Sequence, residues 1–374
     1  MDLIKVRREF HELAEESFQE FKTAEHIRKI AGQVAGDFDY VEIAEHKTAT
    51  LVFIKGTNPS KTIAWRADID ALPIKEETGH DFKSLDENFM HACGHDFHTT
   101  IALGILEQLL NGPRQEQNYL IIFQPAEEKI SGAVELIDNG ILDPYNITEI
   151  YAAHVSPEHK VGEILTKPGV LFAGACEAHV TFTGQGGHAA FPHLTRDPIV
   201  AGAAFLTNAQ SIVARNVDPI DGAVVSFGRF TAGETTNIIP DTAYLAGTLR
   251  SLSNETNELL KQRITELAHA TAKGYNVEAD VKLIQDGTIP VINNEATTAK
   301  FIDFAKQYAN IDFLPIKEKM TGEDFGYFIK HYPATMFWIG VDSPSGLHTA
   351  TFDPDERALA KAVDFVSDYL KSLT

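Results

Sequence analysis

Apolar and polar residues alternate along this chain in two rhythms, and the change between them divides it. Through about the first 170 residues, strand-like runs alternate with helix-like ones. TATLVFIKG from Thr48, KTIAWRADI from Lys61, NYLIIFQ from Asn118 and EIYAAHV from Glu149 are the strands. Between them, Ile101, Leu103, Ile105, Leu106, Leu109 and Leu110 recur at helical spacing, and GAVELIDNG from Gly132 is a shorter helix-like stretch. That order predicts an α/β sheet.

From about Ala173 the order becomes strand (ACEAHVTFTG), long helix (Asp197 to Asn216), two strands (GAVVSFGRF and TAYLAGTLR), long helix (Asn254 to Lys273) and strand (NVEADVKLI). This β-α-β-β-α-β series is the split βαβ, ferredoxin-like arrangement, a domain in its own right. After Thr288 the first rhythm resumes with EATTAKFIDFAKQYA, the strand ATMFWIG at Ala334 to Gly340 and a last helix from Asp355. The pattern therefore predicts a discontinuous catalytic domain with a mixed central sheet, residues 1–172 and 288–374, interrupted by an α+β lid, residues 173–287.

A chain of 374 residues accommodates about two domains and buries a full core without metal or disulfide staples, so a metal found here would be catalytic rather than structural. With 32 Lys and Arg against 53 Asp and Glu, the net charge of -21 repels nucleic acid and anionic membranes and leaves a small molecule as the expected partner. Two cysteines, Cys93 and Cys176, suit a reducing compartment. The charged start MDLIKVRREF lacks the apolar core of a signal peptide, and no run approaches a membrane span, so a cytoplasmic location is expected.

Candidate chemistry concentrates at strand ends. HACGHDFH at His91 to His98 sets Cys93 and His95 two apart, a spacing that aims both side chains at one point from an extended loop and suits a metal. Two alternatives stand beside it: a zinc finger, which would need further paired ligands, and a Cys93 nucleophile with a histidine base. NYLIIFQ runs into PAEE, where neighbouring Glu127 and Glu128 point in different directions, so that one can bind metal while the other serves as general base. His154 ends the strand YAAHV, and His348 follows the strand and turn FWIGVDSPSGLH. RADIDALPI adds Asp68 and Asp70, one of them a ligand or a group orienting a ligating histidine, unless both belong to a turn before Pro73. All of these lie where an α/β sheet presents its carboxyl-end loops. In the lid, GQGGHAAFPH carries His188, TTNIIP carries Asn237 and GTLR carries Arg250. An Asn and an Arg there suit a carboxylate-bearing substrate as well as they suit a turn and a surface ion pair.

Taken in order, RADIDALPI, HACGHD, QPAEE, AAHV, GQGGHAAFPH, NIIP, GTLR, MTGEDF and GLH resemble the family of metal-dependent amidohydrolases that includes aminoacylases, hippurate hydrolases and N-acetyldiaminopimelate deacetylases. The resemblance spans nearly the whole chain. It implies a zinc-peptidase-like catalytic domain and two divalent metal ions (zinc, cobalt, nickel or manganese), with Cys93, His95, Glu128, His154 and His348 on ligand positions. It puts Glu127 on the general-base position and Asp68 on the active-site aspartate. His188 falls on a lid histidine that reaches the other subunit of a homodimer. FQEFKT at Phe18 to Thr23, MTGEDFGY at Met320 to Tyr327, FWIGVDS at Phe337 to Ser343 and DPDE at Asp353 to Glu356 look most like the deacetylase branch. That branch implies release of acetate from N-acetyl-LL-diaminopimelate in lysine biosynthesis. Near the start, where many relatives read H-x-x-P-E-L-G, this chain has HELAEES at His11 to Ser17.

Overall fold

Runs such as TIAWRAD and LIIFQ, apolar on successive rather than alternate positions, are what parallel strands covered on both faces require. The structure, a computed structural model describing residues 1–129 and 131–373, uses them that way. Strands Asn118–Gln124, Thr62–Asp68, Ile147–Ser156 and Ala334–Gly340 lie side by side and parallel. Thr62–Asp68 and Ala334–Gly340 are buried at every residue. Beyond them the sheet turns mixed. Ala49–Ile54 and Val41–His46 add antiparallel at one side, and Glu163–Thr166 and Asp312–Pro315 complete eight strands at the other.

This sheet belongs to a first unit formed by Met1–Leu171, Ile292–Lys317 and the residues from Tyr327 onward. Its core packs Trp65, Tyr151 and Phe337 of the sheet with Phe97, Phe301, Phe365 and Tyr369 of helices His95–Leu110, Glu295–Gln307 and Arg357–Ser372. Two helices outside the alternation read from sequence, Leu3–Glu12 and Phe21–Ala35, contribute Phe10, Ile27 and Ile30 to the same core.

The second unit, Phe172–Val291 with Glu318–Gly326, holds a four-stranded antiparallel sheet in the order Ala223–Ala232, Thr242–Ser251, Gly174–Thr183, Glu278–Ile284. With helices Pro198–Asn216 and Asn254–Gly274 between its strands, this is the expected split βαβ arrangement. Both helices start where their sequences dictate. Asp197 accepts the Ile199 N–H just before Pro198, and Ser253 accepts the Thr256 N–H. Cys176 lies in this unit's own core with Phe182, Phe205 and Ile264. Among the described residues no helix is long and apolar enough to cross a membrane.

Candidate metal centre

The ends of the parallel strands deliver the chemistry. Thr62–Asp68 ends on Asp68, and Asp70 follows two residues later; Asn118–Gln124 leads to Glu127 and Glu128; His154 sits near the end of Ile147–Ser156. His348 lies in the loop after Ala334–Gly340, where its N–H donates to the Ala92 carbonyl at 2.8 Å.

The segment around Cys93 is not the extended loop that the sequence spacing suggested. Gly94 adopts φ 83°, and helix His95–Leu110 begins at the next residue. A Cβ at position 94 would stand 2.4 Å from Val155 Cγ2, so the left-handed turn and the close approach both call for glycine. The turn aims Cys93 and His95 at the same region by a sharp reversal of the chain. Ala126, at φ 54°, does the same for the glutamates. One carboxylate oxygen of Glu127, one of Glu128 and a ring nitrogen of His95 all lie within 4.8 Å of one another.

Cys93 Sγ lies 3.3 Å from His154 Nε2 and 3.2 Å from His348 Nε2. Glu128 Oε1 is 3.7 Å from Nε2 of both His95 and His348. Cys93, His95, Glu128, His154 and His348 thus come together in the first unit, with Glu127 beside them. Asn237 and His188 are close neighbours in the second unit, where Gly187–His188 pairs with Ile238–Ile239 and the Ala189 N–H donates to the Asn237 carbonyl at 3.0 Å. Arg250 lies on the strand Thr242–Ser251 of the same unit, half-buried.

Hydrogen bonds fix which ring nitrogen His95 and His154 turn toward the cluster. His95 Nδ1 donates to Asp70, 3.0 Å from its carbonyl oxygen and 3.2 Å from Oδ1, which leaves Nε2 as the ring nitrogen turned toward Glu128. His154 Nδ1 donates to the Val155 carbonyl at 2.9 Å, so its Nε2 lone pair faces Cys93. His98, which the sequence analysis did not single out, accepts the Val155 N–H at Nε2 and donates from Nδ1 to Asp68 Oδ1 at 2.6 Å. Its three-residue offset from His95 on one helix was the available signal. Asp68 also takes Arg66 Nη1 at 2.6 Å, and Asp70 takes the Ser17 hydroxyl at 2.7 Å and the Glu128 N–H at 3.0 Å. Nothing in the sequence marked Ser17.

Burial and crowded carboxylates set the electrostatics of the cluster. Burial pushes the Cys93 thiol well up, and the charges of Glu128, Glu127 and Asp68 push it further. Burial likewise lifts Glu128 to about 7, against the pull of His95. His95 reaches about 10 although burial opposes it, because Asp68, Asp70 and Glu128 surround it. Asp68 stays well below the usual carboxylate range despite its burial, held there by His95, His98 and Arg66. His95 Nε2 and Glu128 Oε1 are buried without a hydrogen-bond partner among the described residues. Buried polar atoms left without a partner carry a desolvation penalty of about 1–3 kcal/mol or more each, which a cation bound between a neutral imidazole and a carboxylate would relieve. The donor set of one thiol, imidazoles and carboxylates fits a divalent transition metal better than magnesium.

The sequence matches the profile of peptidase family M20/M25/M40 over residues 64–372. The chain belongs to this family. Among its M20 relatives, the N-acetyldiaminopimelate deacetylase of Streptococcus gordonii is 46% identical over 370 residues, 99% of this chain and 98% of the relative. That of Streptococcus sanguinis is 45% identical over 370 residues, with the same coverage of both chains. The solved structure of the Bacillus subtilis YXEP protein, a dinuclear metal binding peptidase from the M20 family, superposes with a TM-score of 0.85 at 30% identity, covering 99% of this chain and 97% of that one. The α/β architecture with an inserted split βαβ unit is thus an M20 architecture, and the chain is a hydrolase by family.

Proposed function

We propose that this chain hydrolyses the acetamide of N-acetyl-LL-diaminopimelate, releasing acetate and LL-diaminopimelate, a step of lysine biosynthesis. The convergence of Cys93, His95, Glu128, His154 and His348 beside Glu127 carries the chemical half of this reading. The substrate half is supported by full-length relatives named N-acetyldiaminopimelate deacetylase.

Those five residues would hold two divalent ions, with zinc, cobalt, nickel or manganese suiting the donors. When bound, the ions supply Lewis acidity, polarising a carbonyl oxygen and acidifying water. Glu127 takes the proton of the water that attacks the acetyl carbon and hands it to the departing amine, so the C–N bond breaks with no net proton change at the residue. Asp68, pinned between Arg66 and His98, keeps its negative charge beside His95 and supports the centre. Asn237 and Arg250 bind the substrate's carboxylate end. His188, from the partner subunit of a homodimer formed through the second unit, donates to the oxyanion; removal of one such donor costs on the order of 10²-fold or more.

The nucleophilic-cysteine alternative fits less well. A thiol nucleophile needs a lowered pKa, and the surroundings of Cys93 push it up unless a cation sits among the carboxylates. The zinc finger loses its second thiol, because Cys176 is part of the second unit's core.

Metal analysis coupled to acetate release from a panel of N-acetyl-LL-diaminopimelate, hippurate and other N-acyl amino acids tests the reading. Fastest turnover of N-acetyl-LL-diaminopimelate is expected. Preference for hippurate would make the chain a general N-acyl-amino-acid amidohydrolase, and absence of metal with full activity would remove the mechanism.

A further inference from the structure

We propose that Ser17 is a positioning residue for the metal centre, acting through Asp70 to fix His95 and Glu128 together. The proposal rests on the metal-binding reading above and concerns a side chain that touches none of the ligands itself.

Asp70 is fully buried, and its two carboxylate oxygens do different work. Oδ1 faces His95 Nδ1 at 3.2 Å, while Oδ2 accepts the Glu128 N–H at 3.0 Å and the Ser17 hydroxyl at 2.7 Å. One carboxylate therefore orients a ligating imidazole and anchors the backbone of a ligating glutamate. The plane of that carboxylate sets both. The Ser17 hydroxyl makes the shortest of these contacts, in a site where it is itself buried. Hydrogen bonds to an ionised acceptor are short and strong and lose little to solvent when buried, so this one restrains the carboxylate's rotation.

A hydroxyl restrains its partner only if its own backbone is fixed, and the segment Glu15 to Glu20 is fastened at both ends. On one side the Glu15 carbonyl accepts the Ala71 N–H at 2.8 Å, next to Asp70, and the Glu15 carboxylate accepts the N–H and hydroxyl of Thr23, each at 2.9 Å. On the other, Glu20 Oε1 accepts the Ala126 N–H at 2.9 Å, next to Glu127, and the Phe18 N–H at 2.9 Å, while Oε2 accepts the Thr48 hydroxyl at 2.7 Å. The segment ties the loop after Asp68 to the loop before Glu127, and Ser17 stands between the two ties. Partners of ligating residues at one remove typically matter by about 10–100-fold in metal affinity.

The test uses the full chain loaded with cobalt(II), comparing the unaltered protein with Ser17→Ala and Ser17→Gly. Cobalt affinity is measured by competition with a chelator, and the visible ligand-field bands report coordination geometry. Both variants are expected to bind cobalt about ten-fold or more weaker, with altered bands. Agreement between the two assigns the effect to the missing hydroxyl rather than to volume or backbone freedom. Either variant binding cobalt as tightly as the unaltered protein, or with unchanged bands in its folded fraction, overturns the proposal, since a merely structural hydroxyl would lower thermal stability alone. No substrate enters this measurement. An unaltered enzyme that binds cobalt without releasing acetate would therefore sink the functional reading and leave the Ser17 result standing, whereas one that binds no cobalt sinks both.

Discussion

Cys93 Sγ stands 3.2 Å from Nε2 of His348, a residue 255 positions further along the chain. The contact is held from the backbone side as well, because the His348 N–H donates to the carbonyl of Ala92, the residue before Cys93. The same sulfur is 3.3 Å from His154 Nε2, so it shares one group of potential ligand atoms with His95 and His154 and another with Glu128 and His348. A single thiol in both groups makes the centre one unit rather than two independent pockets.

Chelation should therefore abolish acetate release, and adding back a divalent transition metal should restore it. A thiol alkylator at concentrations that modify exposed cysteines should leave the loaded enzyme active, because Cys93 is buried. Parallel activity assays after each treatment check this. An enzyme indifferent to chelator and killed by alkylator would be a thiol hydrolase.

Glu127→Gln should retain metal and lose turnover by about 10²–10⁴-fold, the usual range for a general acid–base group. The substitution keeps the shape of the side chain and removes its ability to take a proton. Metal content and acetate release measured on the same sample separate the two effects. Normal turnover would remove Glu127 from the base role.

Gly94→Ala should damage both stability and the centre. The added Cβ meets Val155 Cγ2 at 2.4 Å, and φ 83° is a conformation that L side chains rarely adopt. Strain of this kind costs about 1–3 kcal/mol. Any relief by rotation of the chain moves Cys93 and His95 relative to each other, so weaker metal binding should accompany a lower unfolding temperature. A variant with unchanged metal affinity would show that the turn does not set the geometry.

Much of this was legible in sequence for a physical reason. Strands buried on both faces read as unbroken apolar runs, and these runs directed attention to the candidates at or just past their ends, Asp68, Glu127, Glu128 and His154. The split βαβ unit was legible because its two long helices carry their own start signals at Asp197 and Ser253. What sequence did not carry was the identity of the groups that orient these side chains. His98 and Ser17 matter through which ring nitrogen or carboxylate oxygen they touch, and that depends on tertiary geometry with no period or spacing of its own. The sharp turns at Gly94 and Ala126 were missed for a related reason: residue spacing constrains direction only when the local backbone is already known.

Glu20, which is not among the candidate ligands, offers a pH signature. Burial, reinforced by the charge of Asp70, raises its carboxyl from 4.5 to about 7, against the donors from Thr48 and Phe18. Between those values the folded protein holds a proton at Glu20 that the unfolded chain has released, so the native state binds more protons and stability falls as pH rises through the window. The loss from this group amounts to about 3 kcal/mol at most. Glu20→Gln stays neutral at every pH and should lack that component, while its amide oxygen can still accept the Ala126 N–H. Denaturant unfolding of both proteins with chelator present, at pH 5 and pH 8, measures the difference. The unaltered protein should lose more stability between the two pH values than the variant does; equal losses would mean that Glu20 titrates in the folded state near its ordinary value, with its hydrogen-bond donors outweighing its burial.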